Sequence, residues 1–136
     1  AGFVEGSDPA RRDEVVLLMA HYDHVGAGMT RGPGATPADS IFNGARDNAM
    51  GVVALIGAAK ALAARPPARS VLLLAVTGEE YGMLGSRHYA EHPLVPLERT
   101  VYALNIDGAG YSDTSAVTVV EFMIWVPSFG VQVATP

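Results

Sequence analysis

The sequence predicts an α/β domain, in which helices flank a mostly parallel, mixed central sheet as a three-layer sandwich. Two observations indicate this fold class. Three short apolar runs of the kind that forms buried strands occur along the chain, and two helix-like segments separate them. The length of 136 residues is enough for one domain with a single modest core. We therefore expect strands and helices to alternate, with right-handed crossovers.

The three predicted strands are apolar over their whole length and end abruptly in polar residues. They cover residues 15–20, 71–76 and 101–104. Continuous apolar runs of this length are typical of central strands that helices cover on both faces. The polar segments that follow them are His21-Tyr22-Asp23-His24, Thr77-Gly78-Glu79-Glu80 and Asn105-Ile106-Asp107-Gly108.

Two helices are predicted between these strands. The first covers residues 49–64, follows the N-cap candidates Asp47 and Asn48, and stops before a pair of prolines. Apolar residues occupy most of its circumference, so we expect it to be largely buried. The second runs from about residue 83 to residue 91 and ends before Pro93.

The remaining segments carry less information. Residues 26–40 hold four glycines and two prolines, which indicates a loop over one end of the sheet. The tail, residues 116–136, contains strand-like runs at 117–120 and 122–126 but no recognisable chemistry, and it stays unassigned.

Composition excludes several classes of function. The net charge of −5 and the scattered basic residues argue against a nucleic-acid partner. The absence of cysteine excludes a thiolate metal site and cysteine catalysis. The longest uncharged apolar stretch, residues 49–59, is too short to cross a bilayer, so no membrane-spanning segment is expected. No phosphate-binding glycine motif or nucleophile-elbow motif is present.

The chemistry is expected where the three strands end, because ligand sites of open α/β sheets lie beyond the carboxyl ends of the strands. Carboxylates crowded there would raise one another's pKa, and a divalent cation would neutralise them. Imidazole and carboxylate ligands without sulfur favour Zn²⁺, with Mn²⁺ or Co²⁺ as alternatives. The groups that this fold would gather are His21, Asp23, Asp47, Glu79, Glu80 and Asp107.

The spacing of these residues also indicates roles. Asp23 follows His21 by two residues, and metal-bound histidines commonly donate their second ring N–H to a carboxylate. Glu79 and Glu80 are adjacent and cannot point the same way in an extended segment. One of the two can bind metal while the other serves as a base.

Four segments, in order, resemble the M28 family of zinc metallopeptidases, which are co-catalytic dizinc aminopeptidases and carboxypeptidases. They are residues 21–26, 39–51, 77–86 and 105–107, and the resemblance covers about residues 15–108. Peptidases of family M20 share the His-x-Asp and Glu-Glu pattern. The Asp-Asn-Ala-x-Gly sequence that begins at Asp47 favours M28.

The resemblance implies a zinc-peptidase fold with two zinc ions. His21 and Asp107 would bind one zinc, Glu80 would bind the second, and Asp47 would bridge both. The family's second site also takes a histidine from farther downstream, but no histidine follows His92 in this chain.

The catalytic residues implied by the resemblance are Glu79 and Asp23. Glu79 would take a proton from the water that bridges the metals, and Asp23 would orient His21. The resemblance also implies a cis peptide bond between Asp47 and Asn48.

The function predicted in this way is that of a zinc-dependent exopeptidase acting on peptide substrates, with an aminopeptidase as the first choice and a carboxypeptidase left open. Residues 1–136 are expected to be a partial catalytic domain, incomplete on its C-terminal side. Whether this segment is active alone, its oligomeric state and its compartment stay open; family habit suggests a secreted or cell-envelope protein. The alternatives are a non-catalytic peptidase-like module and a single-zinc relative of glutaminyl cyclase.

Three further histidines have no ligand role in the resemblance. His24 is close to the site in sequence and is expected to support the site or the loop. His88 and His92 have the spacing of a helical metal pair, but no matching Glu accompanies them. We interpret these two as part of a solvated helix face.

Overall fold

The computed structural model describes residues 1–27 and 39–108, together with the backbone of two further strands. The helices are α1 (Met50–Ala64) and α2 (Leu84–Glu91), with a π-helical turn at Ala45–Ala49 and a 3₁₀ turn at Leu97–Arg99. The strands are β1 (Gly2–Val4), β2 (Val15–His21), β3 (Ser70–Val76), β4 (Thr100–Asn105), β5 (Phe122–Val126) and β6 (Gly130–Ala134).

The central sheet is mixed, as the sequence predicts. Its strand order is β1-β3-β2-β4, with β2 in the middle. β2 runs parallel to both β3 and β4, and only β1 is antiparallel to its neighbour. In the register, Leu17 of β2 lies between Leu72 of β3 and Ala103 of β4. This arrangement confirms the predicted α/β class.

The two helices cover opposite faces of this sheet, because side chains alternate along each strand. Tyr89 of α2 packs on one face and Leu55 of α1 on the other. The buried core on the α2 face comprises Val15, Leu17, Met19, Leu72, Leu74, Tyr89 and Ala103. The buried core on the α1 face comprises Ala20, Leu55, Val71 and Leu73. The result is the three-layer sandwich that the sequence predicts.

Helix α1 is less buried than the sequence predicts. Only Gly51 and Leu55 are fully buried along it, and Val53 is 61% exposed. A helix lying on one face of a sheet buries a single stripe, and the remaining apolar side chains of α1 face away from that contact. The expectation of a largely buried helix was therefore wrong for the described part of the chain.

One helical stretch, Ala45–Ala64, is long and apolar enough to cross a membrane by length and composition. Core helices of soluble proteins pass the same test. Asp47 and Asn48 have non-helical backbone angles within this stretch, and Leu55 packs against the sheet. The regular helix is α1 alone, which is 15 residues long, so this one stretch is weak evidence for a membrane span.

The sequence did not predict strand β1, because three residues at the edge of a sheet carry too little pattern to identify a strand. In the tail, residues 122–126 form β5, which pairs with β6 as an antiparallel hairpin. The strand-like run at 117–120 and most of the loop predicted over residues 26–40 lie outside the described residues. At the edges of that loop, Ala27 and Ile41 form an isolated antiparallel bridge.

Candidate active site

The candidate site lies where β2, β3 and β4 end. His21 is the last residue of β2, and Asp107 lies two residues beyond the end of β4. Glu79 and Glu80 lie in the turn after β3, and Asp47 lies in the π-helical turn before α1. Parallel strands deliver their carboxyl ends to the same edge, which is why residues distant in sequence meet here.

The first group of possible metal ligands, which we call the His21 trio, consists of His21, Asp47 and Asp107. The His21 side chain is only 1% exposed. Its Nε2 lies 3.2 Å from Oδ1 of Asp47 and 3.3 Å from Oδ1 of Asp107. Two ligand atoms about 2.0 Å from one tetrahedral zinc are about 3.3 Å apart. The donors present therefore fit one zinc ion.

The second group, which we call the His24 trio, consists of His24, Asp47 and Glu80. Nδ1 of His24 lies 2.7 Å from Oε1 of Glu80 and 3.6 Å from Oδ2 of Asp47. Asp47 belongs to both trios and faces each histidine with a different carboxylate oxygen. This is the position that a carboxylate bridging two cations requires.

The second ring nitrogen of His21 contacts the main chain of Asp23. Nδ1 lies 2.9 Å from the Asp23 carbonyl oxygen, whereas Oδ1 of the Asp23 carboxylate is 3.7 Å away. A proton on Nδ1 donates to the carbonyl and leaves the Nε2 lone pair facing Asp47 and Asp107. The backbone thus supplies the acceptor that the tautomer suited to metal binding needs.

The carboxylate of Asp23 holds a different element. The backbone N–H of Gly78 donates a hydrogen bond of 2.7 Å to its Oδ2. Gly78 immediately precedes Glu79 and has φ +70°, in the left-handed region that favours glycine. Asp23 therefore ties the turn that carries both glutamates to the end of β2.

The turn before α1 is anchored by Asn48, which is 1% exposed. The peptide bond between Asp47 and Asn48 is cis, as the family resemblance implies. The Asn48 side chain donates to the Ile106 carbonyl at 2.8 Å and accepts from the Gly51 N–H at 3.0 Å. This bridge places Asp47 beside the segment that carries Asp107.

Glu79 belongs to neither trio. It lines a small cavity together with His21, Val76 and Met83. Burial raises the pKa of Glu79, as do the neighbouring carboxylates, while His21 acts in the opposite direction. A carboxylate with a raised pKa is better suited to accept a proton near neutral pH.

The pKa of His21 is shifted by opposing causes. Burial of the ring is the largest cause and lowers the pKa, but the charge and hydrogen bond of Asp107, the hydrogen bond to the Asp23 carbonyl and the charge of Glu79 together outweigh burial. The net result is a pKa raised above the ordinary value of histidine. The His21 trio is thus an anionic setting that attracts positive charge, whether a proton or a metal ion.

The structure brings all six predicted site residues to one edge of the sheet, and it adds His24 and Asn48, for which the sequence predicts lesser roles. His24 was expected only to support the site or its loop, and Asn48 only to cap α1. Both lie inside segments that resemble the family. His88 and His92 stack on each other on the exposed side of α2, with ring centroids 4.5 Å apart.

Comparison with known proteins assigns the chain to a peptidase family. The model of peptidase family M28 matches residues 2–125. A vacuolar membrane protease of Saccharomyces cerevisiae is 30% identical over 136 aligned residues, which cover 93% of this chain and 12% of the relative. A vacuolar membrane protease of Candida albicans is 32% identical over 107 residues, covering 79% of this chain and 11% of the relative. Because the family model spans most of the sequence, the chain belongs to peptidase family M28.

Proposed function

We propose that this chain carries the metal centre of a zinc-dependent exopeptidase that holds two zinc ions and acts as an aminopeptidase. The observation that carries this proposal is the double orientation of Asp47, whose two carboxylate oxygens face two different histidines. His21 and Asp107 would hold one zinc with Asp47, and Glu80 would hold the second. The donor chemistry of nitrogen and oxygen without sulfur supports zinc.

When bound, the two cations would polarise the scissile carbonyl and lower the pKa of the attacking water. The chain's own residues supply the proton transfers. Glu79 accepts a proton from the attacking water, while the oxygen of that water bonds to the carbonyl carbon of the scissile peptide bond. Glu79 then donates that proton to the leaving amine nitrogen as the C–N bond breaks. The position of Glu79 beside His21 and outside both trios supports this role.

Asp23 acts on this reaction as a positioning residue. Its main-chain carbonyl lies within hydrogen-bond distance of Nδ1 of His21, and its carboxylate holds the turn before Glu79. Both contacts orient groups that would otherwise have to be ordered when substrate binds.

The choice of an aminopeptidase rests on the family resemblance. An aminopeptidase must also hold the positively charged α-amino group of its substrate, and acidic side chains beside the metal ligands suit that role. Two divalent cations would offset the carboxylates of the two trios, so this role falls to acidic side chains outside them.

The test is the substitution Glu79→Gln in the intact protein that contains this segment. We expect turnover of a leucine chromogenic amide to fall by about 10² to 10⁴ fold, because the general base is removed. Zinc content, measured by mass spectrometry, should stay unchanged because Glu79 belongs to neither trio.

The matched control is Glu91→Gln on the exposed end of α2, which should retain full activity. Activity persisting in Glu79→Gln would remove Glu79 from the mechanism. One bound zinc ion and no hydrolysis in the unmodified protein would favour the relative of glutaminyl cyclase, and no zinc at all would favour a non-catalytic module.

The chain spans about an eighth of the length of the two yeast relatives, so the whole protein's activity and location are proposals. We propose that residues 1–136 are part of a larger catalytic domain. The names of those relatives place them in a vacuolar membrane. We propose that the protein is likewise located in the cell envelope or in an endomembrane compartment. Cell fractionation would test this location.

A further inference from the structure

We propose that His24 is a positioning residue, whose hydrogen bond orients the carboxylate of Glu80 for binding the second zinc ion. The role rests on the proposed function, in which Glu80 holds that ion. Nδ1 of His24 lies 2.7 Å from Oε1 of Glu80. A carboxylate oxygen only accepts hydrogen bonds, so the proton of this bond lies on Nδ1. That nitrogen therefore has no lone pair to offer to a cation, and His24 acts through Glu80.

The distance between these two atoms favours a hydrogen bond over joint binding of one ion. Two ligand atoms of one tetrahedral zinc are about 3.3 Å apart. Hydrogen bonds from N–H to oxygen span about 2.7–3.2 Å, which includes the observed 2.7 Å. Because Glu80 has two carboxylate oxygens, Oε1 can accept the bond from His24 while Oε2 stays available to a cation.

The bond belongs to a set of three that joins the loop after β2 to the turn after β3. Three consecutive loop residues each contact that turn, in the pairs Asp23 with Gly78, His24 with Glu80, and Val25 with Tyr81. Of these three bonds, only the one from His24 reaches the side chain of a proposed metal ligand. The loop thus holds the turn as a whole, and His24 holds the carboxylate that the turn carries.

His24 also lies beside the carboxylate that is proposed to bridge the two ions. Its Nδ1 is 3.6 Å from Oδ2 of Asp47. Two carboxylates that approach each other without a cation repel, and an N–H group close to both reduces that repulsion. His24 therefore keeps Glu80 near Asp47 before the second ion binds.

The ring of His24 is itself held in place. It meets Phe42 edge to face, with a centroid distance of 6.3 Å and an interplanar angle of 64°. A Cβ atom on Gly44 would lie 2.8 Å from Cβ of His24, so the backbone approaches closely as well. The side chains of His24 and Glu80 are only 22% and 20% exposed, which limits competition from water for their bond. A carboxylate oriented in advance by such a donor loses little freedom when it binds an ion.

Two competing interpretations are that His24 only supports the loop and that His24 binds the second ion itself. The affinities for the two zinc ions, measured separately, distinguish them from a positioning role. We would titrate the intact, metal-free protein that contains this segment with Zn²⁺ against a chromophoric chelator. The variants are His24→Ala, His24→Asn and His24→Gln.

We expect His24→Ala to bind the second ion about 10–100 fold more weakly and the first ion unchanged, because only the orientation of Glu80 is lost. His24→Asn keeps an N–H donor near the position of Nδ1 and should recover most of that affinity. His24→Gln places its donor near the position of Nε2 and should not. The control His88→Ala, on the exposed side of α2, should behave as the unmodified protein. Circular dichroism checks that each variant is folded, and if His24→Ala is not, the comparison of His24→Asn with His24→Gln decides.

Unchanged affinities in His24→Ala, or equal losses at both ions, would overturn the positioning role, as would equal affinities in His24→Asn and His24→Gln. Loss of the second ion at every zinc concentration in His24→Ala would identify His24 as a ligand and would also overturn it. Each of these results leaves the proposed two-zinc function intact. An unmodified protein that binds fewer than two zinc ions would overturn the proposed function, and the role of His24 with it.

Discussion

The His21 trio and the His24 trio share one carboxylate but are built on different kinds of structure. His21 ends a central strand and is 1% exposed, whereas His24 lies in the loop beyond that strand and is 22% exposed. Asp107 follows a strand closely, whereas Glu80 lies in a turn. In the proposed metal centre, the central sheet therefore positions the His21 trio directly, whereas loop contacts position the His24 trio. Substitutions should affect the two trios unequally.

The largest effect is expected at Asp47, which belongs to both trios. Asp47→Ala removes the only residue common to both trios, so we expect both ions to be lost together. Asp107→Ala should weaken only the ion in the His21 trio. Calorimetric counting of bound Zn²⁺ measures both variants, with Asp13→Ala on the exposed surface as the control. Retention of one tightly bound ion in Asp47→Ala would show that the trios are independent.

A smaller effect is expected at Gly51, which lies against Asn48, the residue that places Asp47. Gly51→Ala would place a Cβ 2.6 Å from the Ile106 carbonyl oxygen, next to Asn48. We expect the free energy of unfolding to fall by about 1–3 kcal/mol in urea denaturation. The affinity for both ions should fall with it, because this contact places Asp47.

Gly57→Ala is the matched control in the same helix. A Cβ there meets nothing within 4 Å, so alanine should raise the free energy of unfolding by about 0.5–1 kcal/mol. Equal effects of the two substitutions would contradict the close approach at Gly51.

The smallest effect is expected from a substitution that affects only the His24 trio, the part of the site that loop contacts position. The Tyr81 hydroxyl donates a hydrogen bond of 3.2 Å to the Val25 carbonyl, next to His24, and this bond is exposed. Tyr81→Phe should lower the free energy of unfolding by less than about 1 kcal/mol. We expect the affinity for the second ion to fall a few fold and that for the first to stay unchanged. Equal losses at both ions would contradict the separate positioning of the two trios.

The sheet could be predicted because its strands carry a local signal. Residues 15–20 and 71–76 are apolar throughout, and they form β2 and β3 almost as expected. The short edge strand β1 carries no such signal. The exposure of α1 was also unpredictable, because an apolar composition does not say how many faces of a helix find a partner.

The residues of the site also include some that the sequence could predict and some that it could not. His21 and Asp107 could be singled out because each follows the end of a predicted strand. The role of Asn48 could not, because its hydrogen bond to Ile106 joins residues 58 positions apart. The roles of Glu79, Asp23 and the metal ligands stay predictions.

The amino-acid sequence by itself determined that the strands end in histidine and carboxylate groups at one edge of an α/β sheet, and that those segments are of family M28. These properties follow from local composition and from the geometry of parallel strands. Only the tertiary structure decided that Asp47 faces two histidines and that Nδ1 of His24 meets Glu80. The physical reason is that such contacts depend on loop conformations, which are set by packing between distant segments and leave no periodic pattern in the chain.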